Sequence, residues 1–142
     1  MEIKLLALDI DGTLTNQKTI SERNRLAVQR AIDAGVHVVL ATGRGRIATR
    51  PIWKQLEMHG PSIQYGGAMI ADIDTERALV LHEMPPQIIR EVLRFSADQD
   101  VPAQIYVDDA VISDRPTDVA KGYVNRHKLT YIIDHDIFTK TY

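Results

Sequence analysis

The chain has no cysteine among its 142 residues. That excludes disulfides, thiolate nucleophiles and Cys-ligated zinc. It lacks a charge bias, with 17 basic against 19 acidic residues and a net charge of −2. No basic field invites nucleic acid, and no acidic tail suggests a solvating arm. No apolar run approaches the length that spans a membrane, and the N-terminus carries no signal-peptide pattern. A cytoplasmic location follows as the default. Internal repeats, low-complexity tracts and flexible linkers are missing too. What remains is about one domain's worth of chain with an ordinary globular composition, 44% apolar and 25% charged.

One segment stands out. Leu5-Leu6-Ala7-Leu8-Asp9-Ile10-Asp11-Gly12-Thr13-Leu14-Thr15 is an apolar run that ends in two carboxylates. In an extended strand residues i and i+2 share a side, so Asp9 and Asp11 emerge together where the strand runs out. Like charges at that distance repel, and partial burial adds a desolvation cost. A divalent cation or a bound substrate relieves both, which makes this a candidate site.

The pattern around it predicts a buried strand over Ile3–Ile10 and a helix from Ser21 to Ala34, capped by Ser21 and ended by Gly35. A second strand, Val36–Ala41, runs into Thr42-Gly43-Arg44-Gly45. Strand, helix and strand at this spacing form a right-handed crossover with parallel strands. A helix over Arg46–His59, interrupted or delayed by Pro51, and a short parallel strand at Ser62–Tyr65 complete a doubly wound α/β half. The second half reads differently. It offers a hairpin at 68–72 and 78–83, a helix from Pro85-Pro86 to Gln99 with Ile88, Ile89, Val92, Leu93 and Phe95 apolar, and a hairpin around Asp108-Asp109. A helix over Pro116–His127 and a strand at Tyr131–Ile133 follow. The expectation is α+β with antiparallel pairing.

At this point the motifs resemble those of a known family. Asp9-Ile10-Asp11-Gly12-Thr13-Leu14-Thr15 resembles the first signature of the haloacid dehalogenase-like (HAD) hydrolases, and Ala41-Thr42-Gly43-Arg44 resembles their second. Lys18-Thr19-Ile20-Ser21 and Tyr65-Gly66-Gly67-Ala68-Met69-Ile70 look like the Cof-type sugar-phosphate phosphatase branch. The resemblance implies an α/β fold with a partial Rossmann-like parallel-sheet core, followed by an α+β cap segment. It divides the chain into residues 1–67 for the N-terminal part of the core and 68–142 for the hairpin and partial cap. It also implies the chemistry: Asp9 as the nucleophile that forms an aspartyl-phosphate, Asp11 as general acid and then base. Mg²⁺ would bind the Asp9 carboxylate and the main chain of Asp11. Gly12, Thr13, Thr42 and Gly43 would contact the phosphoryl oxygens, and Arg44 would lie near the substrate. The partner implied is a small phosphorylated metabolite.

Two departures accompany the resemblance. The family's later lysine and its glycine-aspartate motif normally follow the cap, and this chain stops inside what reads as the cap. Only the N-terminal half of the expected protein is then present, with an unpaired strand edge where further core strands should sit. The asparagine common before Gly-Ala in this branch is replaced by Gly66. The segment Val107-Asp108-Asp109-Ala110-Val111-Ile112-Ser113-Asp114 reads two ways, as a displaced metal motif or as a cap hairpin with an Asp-Asp turn. Lys121 and Lys128 stand in the cap segment, poor places for the missing lysine.

Other features have plain readings. Gly43-Arg44-Gly45-Arg46 lacks the third glycine of a dinucleotide loop. The five histidines share no ligand spacing. Trp53, Met58 and Met84 read as core or cap packing. The sequence thus predicts a Mg²⁺-dependent phosphatase. The alternative is a non-catalytic fragment or assembly module that needs a second chain or a homo-oligomer.

Overall fold

The structure is a computed structural model that describes residues 2–16 and 19–140. Lys18, part of the Cof-like stretch, lies outside the described residues. The chain forms two compact units, Met1–His82 and Glu83–Tyr142. The first holds β1 (Leu5–Leu8), β2 (Thr15–Asn16), β3 (Thr19–Ile20), α1 (Glu22–Asp33), β4 (His37–Leu40), α2 (Arg46–Gln55), β5 (Pro61–Gln64), β6 (Met69–Asp72) and β7 (Ala78–Leu81). The second holds α3 (Pro86–Asp98), β8 (Gln104–Val107), β9 (Ala110–Ser113), α4 (Asp118–His127) and β10 (Thr130–Ile133).

In the first unit β1 and β4 pair in parallel from Leu5↔His37 to Leu8↔Leu40, and a parallel bridge between Ala41 and Ile63 carries the sheet to β5. The hairpin β6–β7 then adds antiparallel to β5, so it belongs to this unit. Two crossovers link the parallel strands in one direction, and right-handedness sends both helices to one face. Val28 of α1 and Ile52 and Trp53 of α2 accordingly share a core with Val38, Leu40, Leu6 and Leu8. The helices do not wind over both faces, as the sequence pattern suggested.

The opposite face of β1 is bare. The expected buried strand over Ile3–Ile10 is shorter, and Ile3 and Leu5 are 62% and 61% exposed. Both helices pack on the other face, so half of the alternating side chains of β1 find no cover; and among the described residues β1 pairs only with β4, which leaves its other edge unpaired. This is the unpaired edge that the sequence led us to expect.

Local signals set the ends of the helices. Ser21 Oγ accepts from Asn24 N at 3.1 Å, and Glu22 pairs with Arg25 one turn on. Helix α2 runs through Pro51 and stops at Gln55, short of His59, because Glu57 turns left-handed and Met58 N–H closes onto Trp53 C=O. Trp53 and Met58 are core residues, whereas Met84 is exposed and packs in neither core.

The second unit departs from the sequence reading in one pairing. β8 and β9 form the expected antiparallel hairpin, but β10 runs parallel to β9, because α4 crosses over between them. On α3 only Leu93 and Ile89 join the core with Ala103, Ile112 and Ile137. Ile88, Val92 and Phe95 point about 100° away around the helix and are exposed. No helix among the described residues is long and apolar enough to cross a membrane.

Candidate functional site

Asp9 follows the last residue of β1, and the chain turns at once. Ile10 is fully buried and anchors that turn. Its carbonyl accepts from the amides of Leu14 and Thr15 at 3.1 and 2.9 Å and from the Thr15 hydroxyl at 3.0 Å. With Ile10 held inward, Asp9 and Asp11 on either side are both exposed, as alternation requires. Gly12 takes φ +84°, a conformation for which glycine carries no penalty. Its amide donates to Thr15 C=O at 3.2 Å, and that of Thr13 to Ile10 C=O at 3.4 Å, so both amides are engaged within the turn. The Thr13 hydroxyl donates to Asp9 Oδ2 at 3.4 Å.

The tip of β4 supplies the other wall. Thr42 is buried and its Oγ1 accepts from the Arg44 amide at 3.1 Å. An added Cβ at Gly43 would meet nothing within 4 Å, so no approach within this chain demands the glycine. Arg44 returns toward Asp11. Its Nε and one terminal nitrogen donate to the two carboxylate oxygens at 2.8 and 2.6 Å, and its other terminal nitrogen donates to Ala48 C=O at 3.2 Å. The structure therefore joins Asp11 and Arg44, 33 positions apart, in a bidentate ion pair across two strand tips.

A third segment braces this wall, the Cof-like stretch at Tyr65, whose contact with the β4 tip was not foreseen. The turn Tyr65–Gly67 after β5 donates from Tyr65 N to Arg44 C=O and from Gly66 N to Thr42 C=O, at 3.1 and 3.0 Å. Tyr65 lays its ring over Gly45 so closely that a Cβ there would stand 2.3 Å from the phenolic oxygen. The available signal was a glycine directly after Arg44 with no turn requirement of its own.

Beside the Asp9 turn an open polar cleft of about 590 Å³ is lined by Gly12, Thr13, Thr15, Asn16, Arg23 and Asn24, among others. An apolar cavity of about 340 Å³ sits at the other end of the strands, against Leu5, His37 and Pro61. The acids mark the carboxyl end of β1 and Thr42–Arg44 that of β4, where ligands bind in parallel sheets.

No group of three His, Asp or Glu among the described residues could hold a metal by itself. Mg²⁺ needs less from a protein: it keeps several waters and binds through one or two carboxylates plus substrate phosphate. The exposed Asp9 carboxylate fits that role. The Asp11 carboxylate is committed to Arg44, which leaves its main chain as the plausible donor.

The second acid cluster resolves as a turn. Asp108 and Asp109 take φ of +45° and +65° in the two-residue connection of the β8–β9 hairpin. Asp114 is buried and accepts from Ala103 N at 2.8 Å, a structural use of the carboxylate. Lys121 lies on α4 and Lys128 is the left-handed residue that ends it, both in the second unit.

The fold and site define an α/β protein with paired carboxylates at the tips of parallel strands. It belongs to the haloacid dehalogenase-like hydrolase family, whose model matches residues 6–142. A pyridoxal phosphate phosphatase of Escherichia coli is 30% identical over 118 residues, which cover 82% of this chain and 43% of that protein. A haloacid dehalogenase-like hydrolase of Bacteroides thetaiotaomicron superposes with a TM-score of 0.80 at 25% identity, covering 99% of this chain and 55% of its own. A HAD subclass IIB sugar phosphatase has the same fold, with a TM-score of 0.79 at 18% identity. The chain thus spans about half the length of the relatives it matches.

Proposed function

We propose that this chain carries the nucleophile half of a Mg²⁺-dependent phosphatase acting on a small phosphorylated metabolite. The observation behind the reading is the arrangement of Asp9 and Asp11 about the buried Ile10, with Arg44 gripping Asp11 from the neighbouring strand tip. Asp9 is exposed and, among the described residues, accepts a long hydrogen bond from Thr13, so it is the carboxylate able to attack. In the first step an Asp9 oxygen bonds to phosphorus while the bond to the leaving oxygen breaks, and Asp11, protonated from solvent with one of its oxygens released from Arg44, gives that leaving oxygen its proton. In the second step Asp11 takes a proton from water, the water oxygen bonds to phosphorus, and phosphate leaves with Asp9 restored. A bound Mg²⁺, held by the Asp9 carboxylate and the Asp11 main chain, would neutralise charge between the nucleophile and the anionic substrate. Thr42 and Gly43 are the groups offered to the phosphoryl oxygens, and the Gly12 and Thr13 amides join them on releasing their long bonds within the turn.

Pyridoxal phosphate, named for the Escherichia coli relative, and sugar phosphates both fall in the substrate class. A cytoplasmic setting accords with a cysteine-free chain. The test is hydrolysis of a generic aryl phosphate with and without Mg²⁺, beside Asp9→Asn. Metal-dependent turnover that the variant loses supports the reading. A folded chain with no turnover above the variant points instead to a piece that needs a second chain. The bare edge of β1 and the half-length match favour that second reading specifically. Homo-oligomerisation that covers the edge would appear as a molar mass above that of one chain in light scattering.

A further inference from the structure

Arg44 was expected to lie near the substrate, yet its bonds point elsewhere. Its side chain is 12% exposed, while that of Asp11 is 61% exposed. Two guanidinium nitrogens meet both oxygens of Asp11, and the third is tied to the backbone of α2 at Ala48. Each nitrogen is thus already in use within the chain. The backbone around Arg44 is fixed as well: its amide donates to Thr42 Oγ1, and its carbonyl accepts from Tyr65 N. An exposed aspartate with a free χ1 would sample several rotamers, some of them toward Asp9. A fork-shaped partner on a rigid base selects one orientation, a task for which a lysine's single ammonium is a poor substitute.

We infer that Arg44 is a positioning residue, which holds the Asp11 carboxylate in one orientation and does not bind the phosphoryl group. The inference rests on the reading of Asp11 as the base that takes a proton from water in the second step, but the pair itself can be observed without turnover. Removing the fork should harm the proton-transfer step and spare binding.

The first experiment follows the Arg44 Nε–H resonance by ¹H–¹⁵N spectroscopy of the 142-residue chain, with tungstate as the phosphate analogue. The expected result is a resonance that shifts in Asp11→Asn but stays in place when tungstate moves the amides of Gly12 and Thr13. An Arg44 signal that titrates along with those amides makes Arg44 an anion ligand and overturns the inference. So does a signal indifferent to Asp11→Asn, because no pair then exists. If tungstate moves no amide at all, the phosphatase reading fails, and the Asp11→Asn spectrum alone decides the pair. The second experiment is kinetic. Arg44→Lys should lower kcat by roughly tenfold or more with KM within about threefold, whereas loss of a substrate contact would raise KM.

Discussion

Two acid pairs in this chain look alike on paper and end in opposite roles. Asp9 and Asp11 flank a buried isoleucine at the end of a parallel strand, so alternation turns both carboxylates outward on one side. Asp108 and Asp109 are adjacent, and both take positive φ to reverse the chain between β8 and β9. Spacing separates the two cases. One intervening apolar residue gives a strand tip an anchor and two exposed acids, of which Asp11 is gripped by Arg44. Two consecutive acids with nothing between them supply the short polar side chains that tolerate the left-handed region of a tight hairpin. A third acid, Asp114, is used differently again, bonded from within to the Ala103 amide.

Chemistry offers the sharpest way to break that comparison. Asp9→Asn is expected to cut Mg²⁺-dependent aryl phosphate hydrolysis by about three orders of magnitude or more, the scale of losing a nucleophile. Asp108→Asn should leave the rate within about twofold, since a hairpin turn far along the chain takes no part. A rate that falls equally in both would revive the displaced metal motif. Next comes the bracing of the site. Gly45→Ala places a methyl inside the Tyr65 ring and should cost roughly 1–3 kcal/mol, read as a lowered midpoint in urea. Tyr65→Ala in the same chain should recover part of that loss, because the colliding atoms are gone.

Smaller effects refine the turn reading. Asp108→Gly should stabilise by about 0.5–1 kcal/mol, since glycine adopts φ +45° without strain. Destabilisation by that change would mean that the carboxylate has a job beyond the turn. The smallest effect concerns Asp74, between β6 and β7. The Gly60 amide, and after it the His59 ring, hold its carboxyl below the usual carboxylate range. A carboxylate with a depressed folded value adds stability above its unfolded value near pH 4, and that part is lost as pH falls through the folded value. Asp74→Asn should therefore lower stability slightly above about pH 4, where the ionised carboxylate contributes, with the difference from the parent chain closing as pH falls, so that the acid limb of the profile flattens.

The identity of the elements was legible because periodicity is a local property. Ser21, Gly35 and Pro86 mark helix ends at or next to where the chain uses them, and the hairpins fall where turn residues cluster. Burial was less legible. The Ile3–Ile10 run reads as a core strand, yet whether Leu5 is covered depends on what packs on its face, and both helices pack on the face of Leu6 and Leu8. Apolar character on α3 likewise did not tell Leu93 from Phe95, because both are apolar and only the packing partner chooses the face.

For the site, the sequence by itself determined the reactive letters. An Asp-x-Asp at the end of an apolar strand, followed by Gly-Thr, and a Thr-Gly-Arg at the end of the next strand are statements about neighbours in the chain, and the two-residue period fixes their side. Only the tertiary structure decided what those letters do to one another. The grip of Arg44 on Asp11 and the seat of Tyr65 against Gly45 join residues twenty or more positions apart, and the parallel direction of β10 depends on how α4 packs. Such contacts are set by crossover handedness and by which surfaces meet, quantities that no window of sequence contains.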